Sequence, residues 1–544
     1  MATTKYIFIT GGVLSGVGKG IVAASLGNIM QARGYNVFMQ KFDPYLNVDA
    51  GTLNPAEHGE CFVTADGAEA DLDLGHYERF IDRELTRDSS IMSGVIYQTV
   101  INKERQGHYL GKTVQVVPHV TNEIKERLYR ASEKNKAEIH IVEIGGTIGD
   151  IEGRHFVEAI RQVGMEKGRE NVIYAQVGFL PYLQASRELK SKPIQNAMHD
   201  LRAIGINPDL VFCRADHPIP KDLLTKIALF GGLPQEAVVP MPTVDSIYEV
   251  PLILSKYEVD HYVLKSLKLR KRKPQDGNWK RLVKRIKKDT GKKLKIAMVG
   301  KYVTMADTYF SVVESLKAAS WATSYNIELH LINSEQVESG GIEILKQFDG
   351  IVAPGGFGKR GVEGIIMAIK YARENHIPYL GLCFGMQLAC IEYARNILGL
   401  EKANSTEIDP ETPYPVIHIM SEQEKKMLEN NYGGTMRLGN FPCKLNPSSK
   451  SFANYNCKEI QERHRHRYEF NNDFKEQFSA KGEWIFAGTS PDERLVEIIE
   501  LNDHPYFVAC QFHPEFKSRP NHPHPLFIGF IKASIQNSRN YSLF

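Results

Sequence analysis

Near the amino terminus a strand, a glycine-rich turn and a helix follow in immediate succession, and few folds accommodate that order. Residues 6–10, Tyr-Ile-Phe-Ile-Thr, are an apolar run of strand length. The run enters Gly11-Gly12-Val13-Leu14-Ser15-Gly16-Val17-Gly18-Lys19-Gly20, and a helical pattern extends from Ile21 to about Arg33. Such a loop aims several backbone N–H groups at one anion, the helix dipole adds to the attraction, and Lys19 reaches the β and γ phosphates. The strict G-x-x-x-x-G-K-[ST] pattern is not met. Val13 stands where the first glycine belongs, and Gly20 replaces the hydroxyl that would bind Mg²⁺. A turn that merely packs helix on sheet is the bland alternative, and the lysine favours a nucleotide.

The alternation continues. Residues 36–40 form a second strand that delivers Lys41-Phe42-Asp43-Pro44 at its carboxyl end, where open α/β sheets bind ligands. Lys41 then faces the phosphates. Residues 66–79 are acidic, and residues 142–152 form a strand ending in carboxylates and glycines. Mg²⁺ takes one or two protein carboxylates together with triphosphate oxygens, so Asp73 and Glu143 suffice to replace what Gly20 lacks. Asp71 and Glu78 read as solvated surface charge. Lys190 and Lys192 flank a polar turn before a helix that ends near Gly205; they either bind a second triphosphate or form a solvated face. Further strands at 209–214 and 238–241 complete the pattern of a parallel, right-handed sheet.

Residues 268–293 differ in kind, with basic runs broken by Pro274, Asp276 and Gly277. They read as a linker with one short amphipathic helix, dividing a domain of residues 1–267 from one of residues 294–544. The linker's basic charge exceeds what that role needs. The second half starts afresh with a buried strand at 294–300, a helix through 311–319 and a strand at 328–332. A strand at 349–354 opens into Gly355-Gly356-Phe357-Gly358, whose backbone N–H groups suit an oxyanion. Residues 378–390 then read strand, sharp turn, helix, with Cys383 at the turn between Gly381 and Gly385. That is a nucleophile elbow written with cysteine, and the helix dipole favours its thiolate. Alone, such a cysteine is more often core packing than chemistry. A base is supplied by residues 506–516, a strand followed by His513-Pro514-Glu515. In a Cys-His-Glu set the histidine takes the thiol proton and the glutamate fixes its tautomer.

Composition narrows the setting. A net charge of +3 gives no strong global argument for nucleic acid, whose binding surface would have to be a local patch. Seven cysteines without framework spacing or a CxxC motif point to a reducing cytoplasm. No signal-type helix and no membrane-length apolar window occur in the sequence.

The elbow, the glycine-rich loop and the terminal His-Pro-Glu together resemble the class I glutamine amidotransferase domain. With the first half included, the chain resembles the CTP synthase family from residue 6 to about 530. The stretches that carry the resemblance are 10–20, 41–44, 66–80, 143–152, 190–195, 355–361, 381–387, 404–407, 433–438, 462–468 and 511–516. The resemblance implies an α/β fold of two doubly wound parallel-sheet domains, a P-loop-like amidoligase followed by the amidotransferase. It implies an ATP-dependent ligase that phosphorylates O4 of UTP and displaces the phosphate with ammonia from glutamine. Residue by residue, ATP falls to Gly16, Val17, Gly18, Lys19, Gly20 and Ile21, with Lys19 and Lys41 on phosphates and Mg²⁺ on Asp73 and Glu143. Pyrimidine-nucleotide contacts fall to Ser15, Asp150, Ile151, Glu152, Lys190, Ser191, Lys192, Pro193, Ile194, Gln195 and Lys226, and Val244 completes the nucleotide set. Glutamine falls to Gly356, Phe384, Gly385, Met386, Gln387, Glu407 and Arg467, around Cys383, His513 and Glu515. The resemblance further implies a cytoplasmic homotetramer activated by GTP and inhibited by CTP, with filaments left open, and neither nucleic acid nor membrane as partner.

Two rival readings remain from sequence. One is another glutamine-dependent amidoligase that amidates a carboxylate of a cobalamin precursor; the cations of residues 190–195 speak against it. The other is a partitioning-type ATPase or filament protein with a silent glutaminase half, against which the intact Cys383, His513 and Glu515 count.

Overall fold

Continuous apolar runs mark strands covered on both faces. Strand Lys5–Gly12 is such a run, buried from Tyr6 onward. The computed structural model describes residues 3–303, 305–419 and 436–541. Residues 433–435 of the stretch 433–438, and the last three residues of the chain, lie outside the described residues.

Among the described residues the chain forms two compact units, one of residues 1–50 and 73–284, the other of residues 51–72 and 285–544. In the first, seven strands form one sheet in the order 238–242, 210–215, 172–179, 5–12, 139–144, 37–43 and 90–92. All its neighbouring pairs are parallel. The glycine-rich loop therefore leaves a central strand. Register places Glu143 beside Ile9 on one side and Lys41 on the other.

In the second unit, among the described residues, nine strands form one sheet. Strands 326–333, 293–300, 350–353, 379–382 and 507–510 run parallel. The sheet then continues through antiparallel strands 496–501, 484–489, 437–445 and 459–466. The parallel part holds the elbow next to the strand that leads to His513, since Leu382 pairs with Cys510.

Two stretches sit differently from the domain boundaries read in sequence. Residues 268–284 belong to the first unit rather than to a free linker. Arg272 covers the Tyr35 ring at 3.9 Å and pairs with Glu138 at 2.7 Å, while the Gln275 N–H donates to the Ala32 carbonyl at 2.7 Å. Trp279, 6% exposed, packs against Phe80 and Tyr248 with ring centroids 5.3 and 5.9 Å away. Part of the excess basic charge is thus used for packing and pairing. Residues 51–72, a small hairpin of strands Phe62–Val63 and Glu69–Ala70, belong to the second unit. Among the described residues no helix is long and apolar enough to cross a membrane.

Candidate active sites

The loop of residues 13–18 turns through left-handed backbone at Val13 (φ 81°), Gly16 (φ 70°) and Gly18 (φ 94°) before helix Lys19–Ala32 begins. Val13 adopts the conformation that a glycine would take freely, a strained choice for a β-branched residue. Lys19 is buried, its Nζ donating to the Gly146 carbonyl at 2.8 Å. Burial lowers its pKa, with Glu143 acting in the opposite sense. Lys41 is bonded to the Asp73 carboxylate and lies 3.6 Å from Asp43 and 3.7 Å from Glu143. Tyr77, which the sequence did not single out, donates its hydroxyl to Glu143.

Gly20 explains itself here: a Cβ at that position would collide with the Asp73 carboxylate and lie 3.4 Å from Glu143 Oε2. The glycine that removes the usual hydroxyl makes room for two carboxylates instead. Burial and the neighbouring Asp73 charge push Glu143 up to about 7, against the pull of Lys41 and Lys19. Two adjacent hard oxygen donors whose charges oppose each other fit a divalent cation such as Mg²⁺. Among the described residues no group of three or more His, Cys, Asp or Glu is arranged to hold a metal. Phosphate oxygens and water would complete any shell.

The 145–152 loop joins this cluster through the Ile148 N–H, which donates to the Gly11 carbonyl at 2.8 Å. Asp150 caps the turn by accepting from the Thr147 N–H at 2.9 Å, and Ile151 and Glu152 are exposed beside it. Helix Lys192–Ala203 packs close to the same sheet end: Cβ atoms at Gly12 and Gly178 would strike Ala197 and Ile194. Ile194 is wholly buried, so its side chain fastens the helix instead of facing solvent. Lys190 is paired with Glu188, Lys192 and Lys226 are exposed, and Val244 is half-buried beyond strand Val238–Pro242.

In the second unit, Cys383 sits between strand Tyr379–Leu382 and helix Phe384–Asn396 at φ 50°, ψ −97°. A non-glycine residue held there is a strained elbow of the kind that nucleophiles occupy. Its N–H donates to the Cys510 carbonyl at 2.7 Å. Gly381 and Gly385 are required by close approach, since Cβ atoms would strike Ala509 and the Ala353 carbonyl. His513 Nδ1 lies 2.8 Å from Glu515 Oε1, and its Nε2 is buried without a hydrogen-bond partner among the described residues. Burial alone would lower the His513 pKa; the Glu515 carboxylate and the Cys383 sulfur outweigh it and raise it to about 10. Buried His464 and His466 are lowered well below the ordinary range, mainly by burial and by Arg437. The positive charge therefore resides on His513.

The glycine loop closes over this set. A Cβ at Gly355 would lie 2.9 Å from His513 Cε1 and 3.9 Å from Cys383 Cβ, and one at Gly356 would lie 3.5 Å from Phe384 Cδ1. Glu407 accepts from the Gly358 N–H at 2.8 Å. Lys301, absent from the sequence reading, donates to the Phe357 carbonyl at 3.0 Å and crosses the Phe384 ring at 4.3 Å. Burial lowers Lys301 to about 8, with Glu407 opposing. Arg467 is close enough to Glu407 to act on its titration. Gln511, also missed, donates to Cys383 Sγ at 3.5 Å, and Gln387 donates to the Tyr468 carbonyl at 3.1 Å. Gly385 and Met386 face the interior.

A cavity of about 100 Å³ opens on Cys383, His513 and Glu515, and Glu60, Cys61 and Arg465 complete one wall. The hairpin of residues 51–72 is fastened there. Glu60 accepts from the Ser311 N–H at 2.8 Å, Arg465 Nε donates to Glu69 Oε1 at 2.8 Å, and buried Arg463 donates to the Val63 carbonyl at 3.0 Å. Arg463 also accepts, through its carbonyl, the His513 N–H at 2.7 Å. Period-2 alternation of strand Glu459–His466 puts both arginines on one face.

Known proteins match both units. Residues 5–269 match the family described as CTP synthase N-terminus, and residues 304–533 match glutamine amidotransferase class-I. A curated CTP synthase of Caldanaerobacter subterraneus subsp. tengcongensis is 55% identical over 532 residues, covering 98% of each chain. One of Bacillus subtilis is 54% identical over 534 residues, covering 98% of this chain and 99% of its own. Among solved structures, the glutaminase domain of Trypanosoma brucei CTPS with bound acivicin is 37% identical, with a TM-score of 0.42, and is matched over 45% of this chain and 94% of that one. Identity at this level, over nearly the full length of both relatives, shows that the chain belongs to the CTP synthase family.

Proposed function

We propose that the chain aminates UTP to CTP with ammonia from glutamine, at the expense of ATP and through a UTP phosphorylated at O4. The observation that carries the reading is a Cys383 elbow with a His513–Glu515 pair, in one chain with Lys19, Lys41, Asp73 and Glu143 gathered about Gly20. The enzyme is a ligase forming a C–N bond, and its halves divide the work. The unit of residues 1–50 and 73–284 carries the synthase chemistry, and the unit of residues 51–72 and 285–544 the glutaminase chemistry.

In the glutaminase half the Cys383 sulfur attacks the carboxamide of glutamine. Backbone N–H groups of Gly356 and Phe384 receive the developing oxyanion, and the proton on His513 passes to the departing ammonia. Glu515 holds the imidazolium in one orientation. Water then attacks the thioester and releases glutamate. Gln387, Glu407 and Arg467 orient the amino acid head of glutamine.

In the synthase half Lys19 and Lys41 balance phosphate charge. Asp73 and Glu143 would hold Mg²⁺, which when bound draws charge from the transferring phosphoryl group. A carbonyl oxygen leaves poorly, so phosphorylation at O4 precedes attack by ammonia at C4, and inorganic phosphate departs. Ser15, Asp150 to Glu152, residues 190–195, Lys226 and Val244 recognise the pyrimidine nucleotide; the cations at 190 and 192 suit its triphosphate. GTP activates, CTP feeds back as inhibitor, and the working enzyme is a cytoplasmic homotetramer, with filaments a further level of assembly.

A direct product assay tests this. Purified protein with ATP, Mg²⁺, UTP and glutamine yields CTP, ADP, phosphate and glutamate in equal amounts. Failure to form CTP, or formation of an amide from a carboxylate substrate in its place, overturns the reading.

A further inference from the structure

Five of the seven cysteines are buried, and for four of them, Cys213, Cys390, Cys443 and Cys510, burial pushes the thiol well up, which makes it inert. Cys457 is exposed. The remaining two, Cys61 and Cys383, line the same cavity of about 100 Å³.

Arg465 belongs to both sulfurs. Its carbonyl lies 3.9 Å from Cys383 Sγ, and its Nε donates to Glu69 Oε1 at 2.8 Å. That same carboxylate oxygen accepts from the Cys61 thiol at 3.8 Å. The guanidinium is held charged against its burial by Cys61, Glu69 and Cys383 together. Cys61 is half-buried and immediately precedes strand Phe62–Val63.

We propose that Cys61 is the resolving thiol for an oxidised Cys383, so that a hydroperoxide converts the two into a reversible disulfide. In the first step the Cys383 sulfur attacks a peroxide oxygen. An S–O bond forms, the O–O bond breaks, and the leaving hydroxide or alkoxide takes the proton from His513. Sulfur loses two electrons and the peroxide gains them. In the second step the Cys61 sulfur attacks the sulfenic sulfur, the S–S bond forms and the S–O bond breaks. The Cys61 proton, accepted first by Glu69, leaves with the hydroxide as water. A low-molecular-weight thiol reverses the disulfide. Without Cys61 the sulfenic acid proceeds to the irreversible sulfinic form. The activity readout rests on Cys383 being the glutaminase nucleophile, whereas the cross-link itself does not.

The test treats the full-length protein with equimolar hydrogen peroxide, blocks free thiols by alkylation, digests without reductant and identifies linked peptides by mass spectrometry. A Cys61–Cys383 peptide is expected, with loss of glutamine-dependent CTP formation that dithiothreitol restores. Ammonia-dependent formation stays unchanged. In Cys61→Ser, normalised to its own untreated activity, dithiothreitol restores less than about a tenth, and Cys383 is found as sulfinic acid. Absence of the linked peptide from the natural protein overturns the proposal, as does equal recovery of the two proteins. Should Cys61→Ser fail to fold, the linked peptide decides alone. A linked peptide in a protein without glutaminase activity would leave the proposal standing and overturn the functional reading instead.

Discussion

Three residues carry more than their types announce. Val13 occupies left-handed backbone at φ 81°. Such a conformation costs a side-chain-bearing residue about 1–2 kcal/mol, of which glycine's extra chain entropy returns a part. Val13→Gly is therefore expected to raise stability by about 1 kcal/mol, read as a higher urea midpoint at constant slope. Gly20 is fixed by space and not by conformation: Gly20→Ser would push its Cβ into Asp73. ATP-dependent CTP formation should fall on the order of 100-fold while glutamine hydrolysis persists. His513 is raised from 6.5 to about 10. Its cationic form is thus the one that folding favours. The stabilisation is complete below pH 6.5 and disappears as pH climbs through about 10. Thermal melts of the natural protein and His513→Gln should differ most at pH 6 and converge above pH 10; a constant difference would contradict the assignment. The grouping of Cys383, His513 and Glu515 was legible because a cysteine on a strand–helix turn and a His-Pro-Glu after a strand both carry a sequence signature. Lys301 and Gln511 were not, because a lysine after a strand and a glutamine within one carry no signature until the loop closes over them.

At the scale of elements, the hairpin of residues 51–72 is the largest departure from what the sequence indicates. Its strands are two residues long, too short for a periodic signal, and Val63 meets its partner Arg463 from 400 residues further along the chain. No local pattern encodes such a pairing. Glu60 does here what a helix cap does, accepting from the Ser311 N–H at the start of helix Phe310–Thr323. Glu60→Ala should cost about 1–2 kcal/mol of stability, and Glu60→Gln less. Differential scanning calorimetry checks both; equal stabilities would remove Glu60 as the anchor. The basic stretch 268–284 was misleading for the opposite reason. It reads as a linker more basic than that role needs, yet Arg272 spreads its guanidinium over Tyr35 and pairs with Glu138. By contrast the strand–loop–helix at residues 5–32 and the elbow at 379–396 follow their patterns closely, because glycines and apolar runs there are required by local geometry.

For the molecule as a whole, the chain folds into two compact units, and the proposed function assigns one chemistry to each. Sequence pattern shows the restart of the fold near residue 294, since each half repeats the alternation of strand and helix. It does not show the antiparallel strands that extend the second sheet, of which residues 459–466 carry charges at positions that turn out to be buried. Buried Glu462, Arg463 and His464 violate the polarity rule on which strand reading depends, and they do so next to a functional site. The central claim is that ammonia made at Cys383 is consumed by the chemistry around Lys19, Lys41, Asp73 and Glu143. The most direct measurement is CTP formation by Cys383→Ala with either glutamine or ammonium chloride as nitrogen donor. The account predicts loss of glutamine-dependent formation by more than about 1000-fold with ammonia-dependent formation retained near the natural level. Loss of both activities, or survival of the glutamine-dependent one, would contradict it.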